Sequence, residues 1–255
     1  MHPLMKQIEE LRALVGVALD DYEPAQELGT LRAPLRYAVG GKLLRPLLCL
    51  ASSDALGVDV AEALNAALAV ELVHSFSLVH DDLPALDDDT ERRGKPTVHA
   101  EFGERTAILT GDALLAEAFR LAATYDTPAI ARELATATVR MIGGQQLDFE
   151  GLPDRAAVHA LKTAAMFEAP VGCALALADV DEQDAWRAFA RELGLLFQVV
   201  DDVLDGDGFA AELGEEGARR LADGHAARVD ALLAELDVDT TVLRELADTI
   251  ATRTA

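Results

Sequence analysis

Alanine, leucine, glutamate and arginine recur at three- and four-residue spacing along almost the whole chain, while period-two alternation of apolar and polar residues is scarce. Such a pattern suits helices with one apolar face and gives little to half-buried strands, whose side chains alternate faces. The expectation is an all-α fold. Breaks fall near Pro24, Pro34, Gly40-Gly41, Gly57, Pro84, Gly94 to Pro96, Pro128, Gly151 to Pro153 and Gly206 to Gly208, where glycine or proline interrupts the periodicity. Helices are predicted over 3–20, 43–55, 58–82, 104–125, 128–149, 154–178, 182–203, 212–235 and 239–253. No break is long or polar enough for an interdomain linker and no fixed-period repeat occurs, so residues 1–255 read as a single domain of about ten helices.

The 255 residues carry 45 Asp plus Glu against 22 Lys plus Arg, a formal charge of −23. That field repels polyanions, which argues against nucleic acid and anionic membrane surfaces as partners. Cys49 and Cys173 both lie in apolar helical stretches, as buried thiols in a reducing compartment do. The N-terminus has no uninterrupted apolar core before a cleavage-like site, and no later run is read as approaching the ~20 residues of a spanning helix. The chain is therefore expected to be soluble and cytoplasmic.

Two of the predicted helices, 58–82 and 182–203, are apolar on most sides, as helices at the centre of a bundle are. Each ends in aspartates: Asp81-Asp82, with Asp87 to Asp89 following, and Asp201-Asp202, with Asp205 following. Carboxylates at a helix C-terminus oppose the helix dipole, and so many together need a compensating cation. Mg²⁺ keeps several waters and binds through one or two carboxylates plus substrate phosphates, so two such clusters suit a polyphosphate held through bridging Mg²⁺. Gly40-Gly41-Lys42-Leu43-Leu44-Arg45-Pro46 and Arg92-Arg93-Gly94-Lys95-Pro96-Thr97 place cations beside turns, either as phosphate contacts or as surface loops. His74 lies two helical turns before Asp81 on the same face, as a phosphate donor or a satisfied core residue. Lys162-Thr163 sits in an Ala-rich stretch where an inward lysine needs an anionic partner. Gly143-Gly144-Gln145 puts two glycines inside a helical pattern, which fits either a close helix–helix approach or a site past which a substrate tail runs.

Taken in order, these segments resemble the trans-isoprenyl diphosphate synthases of the polyprenyl synthetase family, of the bacterial short-chain farnesyl or geranyl diphosphate synthase type. The resemblance runs from about Leu31 to Asp205. It rests on Gly-Gly-Lys-x-x-Arg-Pro at 40–46, Asp-Asp-x-x-x-x-Asp at 81–87, Arg-Arg-Gly-Lys-Pro-Thr at 92–97, Gly-Asp-Ala-Leu at 111–114, Gly-Gly-Gln at 143–145, Lys-Thr at 162–163 and Phe-Gln-x-x-Asp-Asp-x-x-Asp at 197–205. It implies a helical bundle of the isoprenoid synthase type around a deep central cavity, in a homodimer, with Mg²⁺ held by Asp81, Asp82, Asp87, Asp201, Asp202 and Asp205. Arg92 and Lys162 would contact the allylic diphosphate, and Lys42, Arg45, His74 and Arg93 isopentenyl diphosphate. Thr163 and Gln198 would stabilise the allylic cation. Phe76 and Ser77, roughly 6 to 7.5 Å deeper along the helix than Asp81, would set product length. Phe76 with the insertion Leu83-Pro84-Ala85-Leu86 resembles the farnesyl pattern, with geranyl or geranylgeranyl diphosphate as the alternatives.

The chain departs from that pattern after Asp205. The family's lysine-containing loop is shortened over 206–217, and no lysine follows Lys162. Leu43 also stands where many relatives have arginine. These departures leave two further alternatives open: an ionising enzyme giving cyclised or hydrolysed terpenoids, and a weakly active or non-catalytic subunit. What replaces the missing charge is left open by the sequence, Arg219 or Arg220 folding back over the site being one candidate.

Overall fold

The structure, a computed structural model, describes residues 3–150, 158 and 161–253. Among the described residues there are twelve α-helices: α1 (Pro3–Asp21), α2 (Arg32–Ala38), α3 (Leu44–Ala55), α4 (Val60–Asp81), α5 (Val98–Phe102), α6 (Glu104–Ala122), α7 (Ala129–Phe149), α8 (Ala165–Leu177), α9 (Asp184–Asp205), α10 (Gly208–Leu213), α11 (Glu215–Glu235) and α12 (Thr241–Ala251). A 3₁₀ segment at Gln26–Leu31 and a short antiparallel hairpin, β1 (Glu91–Arg92) with β2 (Lys95–Pro96), complete them.

The fold is all-α, and α4 is its centre, packed by α1, α3, α6, α7 and α8. Ala63, Ala66, Ala67 and Ala69 are wholly buried on it, and such small side chains let neighbouring helices approach closely. The Asp59 carboxylate starts the helix by accepting from the Ala61 N–H at 2.8 Å, satisfying one orphan donor. Among the described residues α4 is the one helix long and apolar enough to cross a membrane, contrary to the sequence expectation that no run comes near that length; here two thirds of its apolar stretch is buried in the core. One apolar cluster joins α4, α6 and α7, and a second joins α3, α8, α9, α11 and α12 through Phe167, Trp186, Phe189 and Leu193.

Four departures from the predicted elements bear on the site. Helix α9 runs two residues beyond the expected 203, carrying Asp205 to its last turn before Gly206 ends it at φ 72. The predicted helix 212–235 is divided by Gly214 at φ 73 into α10 and α11, so the shortened stretch folds mostly as helix. The predicted helix 154–178 lies partly outside the described residues, and within them a turn at Thr163–Ala164 interrupts it before α8. Helices α2 and α5 and the hairpin were not foreseen, because elements of two to seven residues are shorter than the window in which a period shows.

Candidate active site

Side chains from several helices and the turns between them converge on a cavity of about 760 Å³. Along α4, Glu71, His74, Leu78 and Asp81 succeed one another at three- and four-residue spacing, so one helical face looks into it. Helix α9 contributes Phe197, Gln198 and Asp201. The Gly41–Leu44 turn brings Lys42, and α3 brings Arg45; the hairpin brings Arg92 and Arg93, the turn before α8 brings Lys162 and Thr163, and the end of α12 brings Arg253. Of the residues expected to form the site, Lys42, Arg45, His74, Ser77, Asp81, Arg92, Arg93, Lys162, Thr163, Gln198 and Asp201 all line this cavity.

The other five do not. Asp82 is buried beneath the hairpin, where it accepts from Arg92 Nε at 2.7 Å. Asp202 is buried too, accepting from Gln198 Nε2 at 2.7 Å and from the Phe209 N–H at 2.8 Å. Local partners account for this: consecutive helical residues point about 100° apart, and in each pair the second carboxylate is taken by its own donors, Arg92 for Asp82 and Gln198 with the Phe209 N–H for Asp202. Both aspartates thus hold other groups, Asp82 the Arg92 guanidinium and Asp202 the Gln198 amide, while Asp81 and Asp201 face the cavity. Asp87 and Asp205 are exposed at the rim. Asp87 is returned towards Asp81 by a turn in which its N–H donates to the Asp81 carbonyl at 2.9 Å. Phe76 is 7% exposed and stacks edge-on against His80; it lines a second cavity of about 320 Å³ that shares Ser77, Asp81 and Met141 with the first.

Local backbone chemistry sets the cations. Arg93 (φ 56) and Gly94 (φ 73) form the two left-handed positions of a two-residue hairpin turn, and this aims successive arginines differently. Arg92 reaches Asp82, while the Arg93 guanidinium donates to the Gly40 carbonyl and occupies the space that a Cβ on Gly41 would need. Arg45 lies over the rings of Phe167 (5.1 Å) and Phe197 (5.8 Å) and is bonded to His74 Nε2 at 3.2 Å. Lys162 finds its anionic partner in Asp148 at 3.1 Å. Thr163 Oγ1 donates to Gln198 Oε1 at 2.6 Å, so a chain of hydrogen bonds runs from the break before α8 through Gln198 to Asp202. Of the two glycines, Gly144 makes the close approach, packing on the Lys162 backbone, whereas Gly143 has open space.

Burial shifts the titrating groups. It pushes Asp81 up to about 6, with the Lys162 charge opposing and the Asp87 charge adding to the rise. It raises Asp201, against the pull of Arg253. It also holds His74 well below its usual range, helped by Arg45 and Arg93, so His74 is neutral near pH 7 and serves as a hydrogen-bonding group rather than a cation.

Arg253 was not among the residues expected at the site. Its Nη1 lies 2.9 Å from Asp201 Oδ1 and its guanidinium stacks on Phe197 at 4.8 Å. Arg219 and Arg220, the candidate replacements, instead pair with Glu215 and Glu216 one turn away on exposed α11 and do not reach the cavity. Glu71, Met141, Met166 and Phe197 also line it without having been singled out as site residues.

Among the described residues no three carboxylate, His or Cys side chains gather closely enough to hold a metal unaided. Asp81 and Asp201 nonetheless offer hard oxygen donors from two walls of one cavity, and the cations around them suit phosphate. That donor set fits a divalent ion whose remaining ligands are water and substrate phosphate.

The sequence profile of the polyprenyl synthetase family matches residues 29–244. The chain is 42% identical over 233 residues to "Geranylgeranyl pyrophosphate synthase 11, chloroplastic" of Arabidopsis thaliana, a match covering 82% of this chain and 65% of that protein. It is 35% identical over 263 residues to the farnesyl diphosphate synthase of Bacillus subtilis (strain 168), covering 88% and 89%. A solved FPP/GFPP synthase from Zymomonas mobilis superposes with a TM-score of 0.87 at 33% identity, covering 98% of this chain and 99% of that one. The match to the plant relative takes in less than two thirds of that relative's length.

Proposed function

This chain belongs to the polyprenyl synthetase family, and from that premise we propose that it is a Mg²⁺-dependent prenyltransferase condensing isopentenyl diphosphate with dimethylallyl and geranyl diphosphate to farnesyl diphosphate. The observation that carries this reading is one cavity holding Asp81 and Asp201 together with Lys42, Arg45, Arg92, Arg93, Lys162 and Arg253. Asp81 and Asp201 would hold Mg²⁺, and the ion would supply Lewis-acid neutralisation of the diphosphate that departs.

The chain's own residues do the rest. Lys162 and Arg253 clamp the allylic diphosphate in place before its C–O bond breaks, so stabilising charge needs no reorganisation as the bond opens. Arg45, Arg93, Lys42 and neutral His74 orient isopentenyl diphosphate beside it. The allylic carbon is left facing Thr163 Oγ1 and Gln198 Oε1, whose partial negative charge is fixed by the hydrogen bond to Thr163 and the Gln198–Asp202 tie. Met141, Met166 and Phe197 exclude water. The new C–C bond leaves a cation that loses a proton, and the departing diphosphate is the base that takes it.

Arg253 supplies the charge that the shortened loop lacks, and its place in the cavity counts against the non-catalytic alternative. Arg253→Ala should raise the KM for allylic diphosphate by about 10- to 100-fold, the 1.5–3 kcal/mol of a charge-assisted contact, with a smaller change in the KM for isopentenyl diphosphate. Steady-state kinetics with each substrate varied decides it, and an unchanged allylic KM rejects the role.

The second cavity is the proposed home of the growing tail, which passes Ser77 and meets Phe76. Incubation of the protein with isopentenyl diphosphate and each allylic primer, followed by mass analysis of intact diphosphates, tests the whole reading. Mg²⁺-dependent C15 product supports it; alcohols or hydrocarbons would point to the terpenoid alternative, and no elongation from any primer would reject it. Phe76→Ala should lengthen the product by at least one C5 unit, and an unaltered distribution would remove Phe76 as the floor.

A homodimer is supported by apolar side chains left outside the bundle: Ile108 and Leu109 on α6, and Val139, Ile142 and Phe149 on α7, are 45–70% exposed. Light scattering tests it. Free, buried Cys49 and Cys173 accord with a reducing, cytoplasmic setting.

A further inference from the structure

Glu71 stands out among the groups that this mechanism does not use. It is 2% exposed in the middle of α4, yet it lines the main cavity, and its carboxylate makes no hydrogen bond or ion pair among the described residues. A carboxylate set into a cavity wall with so little exposure and no donor of its own is costly and is seldom kept for packing. Arg45 from α3 and Arg93 from the hairpin act on its charge, and His74 follows one turn along its own helix. Lys42, Asp81, Arg92, Lys162, Asp201 and Arg253 are the other charged groups around the same cavity. Arg45 Nε is itself buried and without a partner, a donor waiting for an acceptor.

We infer that Glu71 takes up a proton when a diphosphate binds against Arg45 and Arg93, so that binding at this wall of the cavity is coupled to proton uptake. This rests on the reading that those arginines receive isopentenyl diphosphate. The argument is electrostatic. In the free protein the Arg45 and Arg93 guanidinium groups favour ionised Glu71, against a burial penalty that pushes it up to about 7. A bound diphosphate engages those same guanidinium groups and adds negative charge beside the carboxylate. Protonating Glu71 removes the like-charge repulsion, which this recessed position screens less than bulk water does. His74 cannot serve in its place, because Arg45, Arg93 and burial already keep it neutral. Glu71 is thus a positioning residue: it steadies the arginines when the cavity is empty and gives up its charge when the ligand takes them over.

The sign follows from linkage. If the bound state holds more protons than the free state, affinity falls as pH rises through the range above 7. The test is calorimetric titration of the full chain with isopentenyl diphosphate in metal-free buffer without an allylic partner, so that no turnover occurs and the aspartates cannot recruit the ligand through metal. Run at pH 7.5 in buffers of different ionisation enthalpy, it counts protons directly. The wild type should take up about half a proton more than Glu71→Gln, since the ligand's own protonation is common to both proteins. Wild-type affinity should also fall roughly tenfold more than that of Glu71→Gln between pH 6.5 and 8.5, a difference that a merely structural role does not produce. Equal proton counts in the two proteins overturn the inference while leaving the functional reading intact. Failure of the wild type to bind isopentenyl diphosphate overturns both. Should Glu71→Gln fail to fold, the infrared difference spectrum of the wild type decides alone: a new carboxylic-acid band on ligand addition is required, and its absence is disproof.

Discussion

Asp81→Asn is expected to lower kcat/KM by roughly a thousandfold or more, on the scale at which a preorganised charge site is lost, while making the metal-free protein more stable at neutral pH. The second half separates a functional carboxylate from a structural one. Burial raises Asp81 to about 6 from the ordinary carboxylate value near 4. The folded state therefore holds this proton more tightly than the unfolded chain, and its stabilising contribution is complete below about pH 4 and lost as pH rises through 6. At pH 7.5 the ionised group is a net liability of about 1–2 kcal/mol once solvent screening is allowed for. Removing its charge should raise Tm by about 2–6 °C for a chain of this length, an advantage that shrinks towards pH 4. Thermal unfolding of wild type and variant at the two pH values measures it. A variant that lost activity and stability together at pH 7.5 would show that Asp81 holds the fold and that its place in the chemistry has been misread.

How far the site could be read from the chain follows the same physics. The carboxylate clusters were legible because ionised groups closing apolar helices have no structural reason to be there, and the cations were legible because they flank turns. What spacing could not resolve was direction. Asp81 and Asp82 are neighbours in sequence, but one faces the cavity and the other Arg92, and Asp201 and Asp202 divide in the same way. Arg253 was invisible for a different reason: it reaches Asp201 because α12 packs on α9, a tertiary contact with no local signature. Glu71 was overlooked because a single acid in an apolar helix resembles an ordinary solvated position until the cavity beside it is seen. The helices themselves were mostly foreseen, since period and breaks are local. The turn at Thr163–Ala164 has neither glycine nor proline, so the periodicity runs through it unmarked.

That turn is held from outside, and the second large effect is expected there. Helix α7 approaches it through Gly144, where a Cβ would lie 2.6 Å from the Lys162 backbone N, and α9 approaches it through Gly194, where a Cβ would lie 2.7 Å from Ala164 Cα. Both contacts are with backbone, which cannot swing aside as a side chain can. Gly194→Ala should therefore cost about 3 kcal/mol, at the upper end of overpacking, and lower Tm by about 6–12 °C. Gly144→Ala should behave alike. Alanine is otherwise the better helix former by about 1 kcal/mol, so Gly143→Ala, one residue away with nothing within 4 Å of its Cβ, should stabilise the protein. The opposite signs at adjacent positions of one helix are the test, read from chemical denaturation midpoints. Because Gly144 and Gly194 press on one segment from two sides, their double variant should deviate from additivity. Activity should fall with each, since a turn pushed from either side moves Lys162 away from Asp148 and Thr163 away from Gln198, the contacts that place both side chains in the cavity. Destabilisation by Gly143→Ala equal to that by Gly144→Ala would mean that helix α7 tolerates no side chain there for reasons unrelated to the turn.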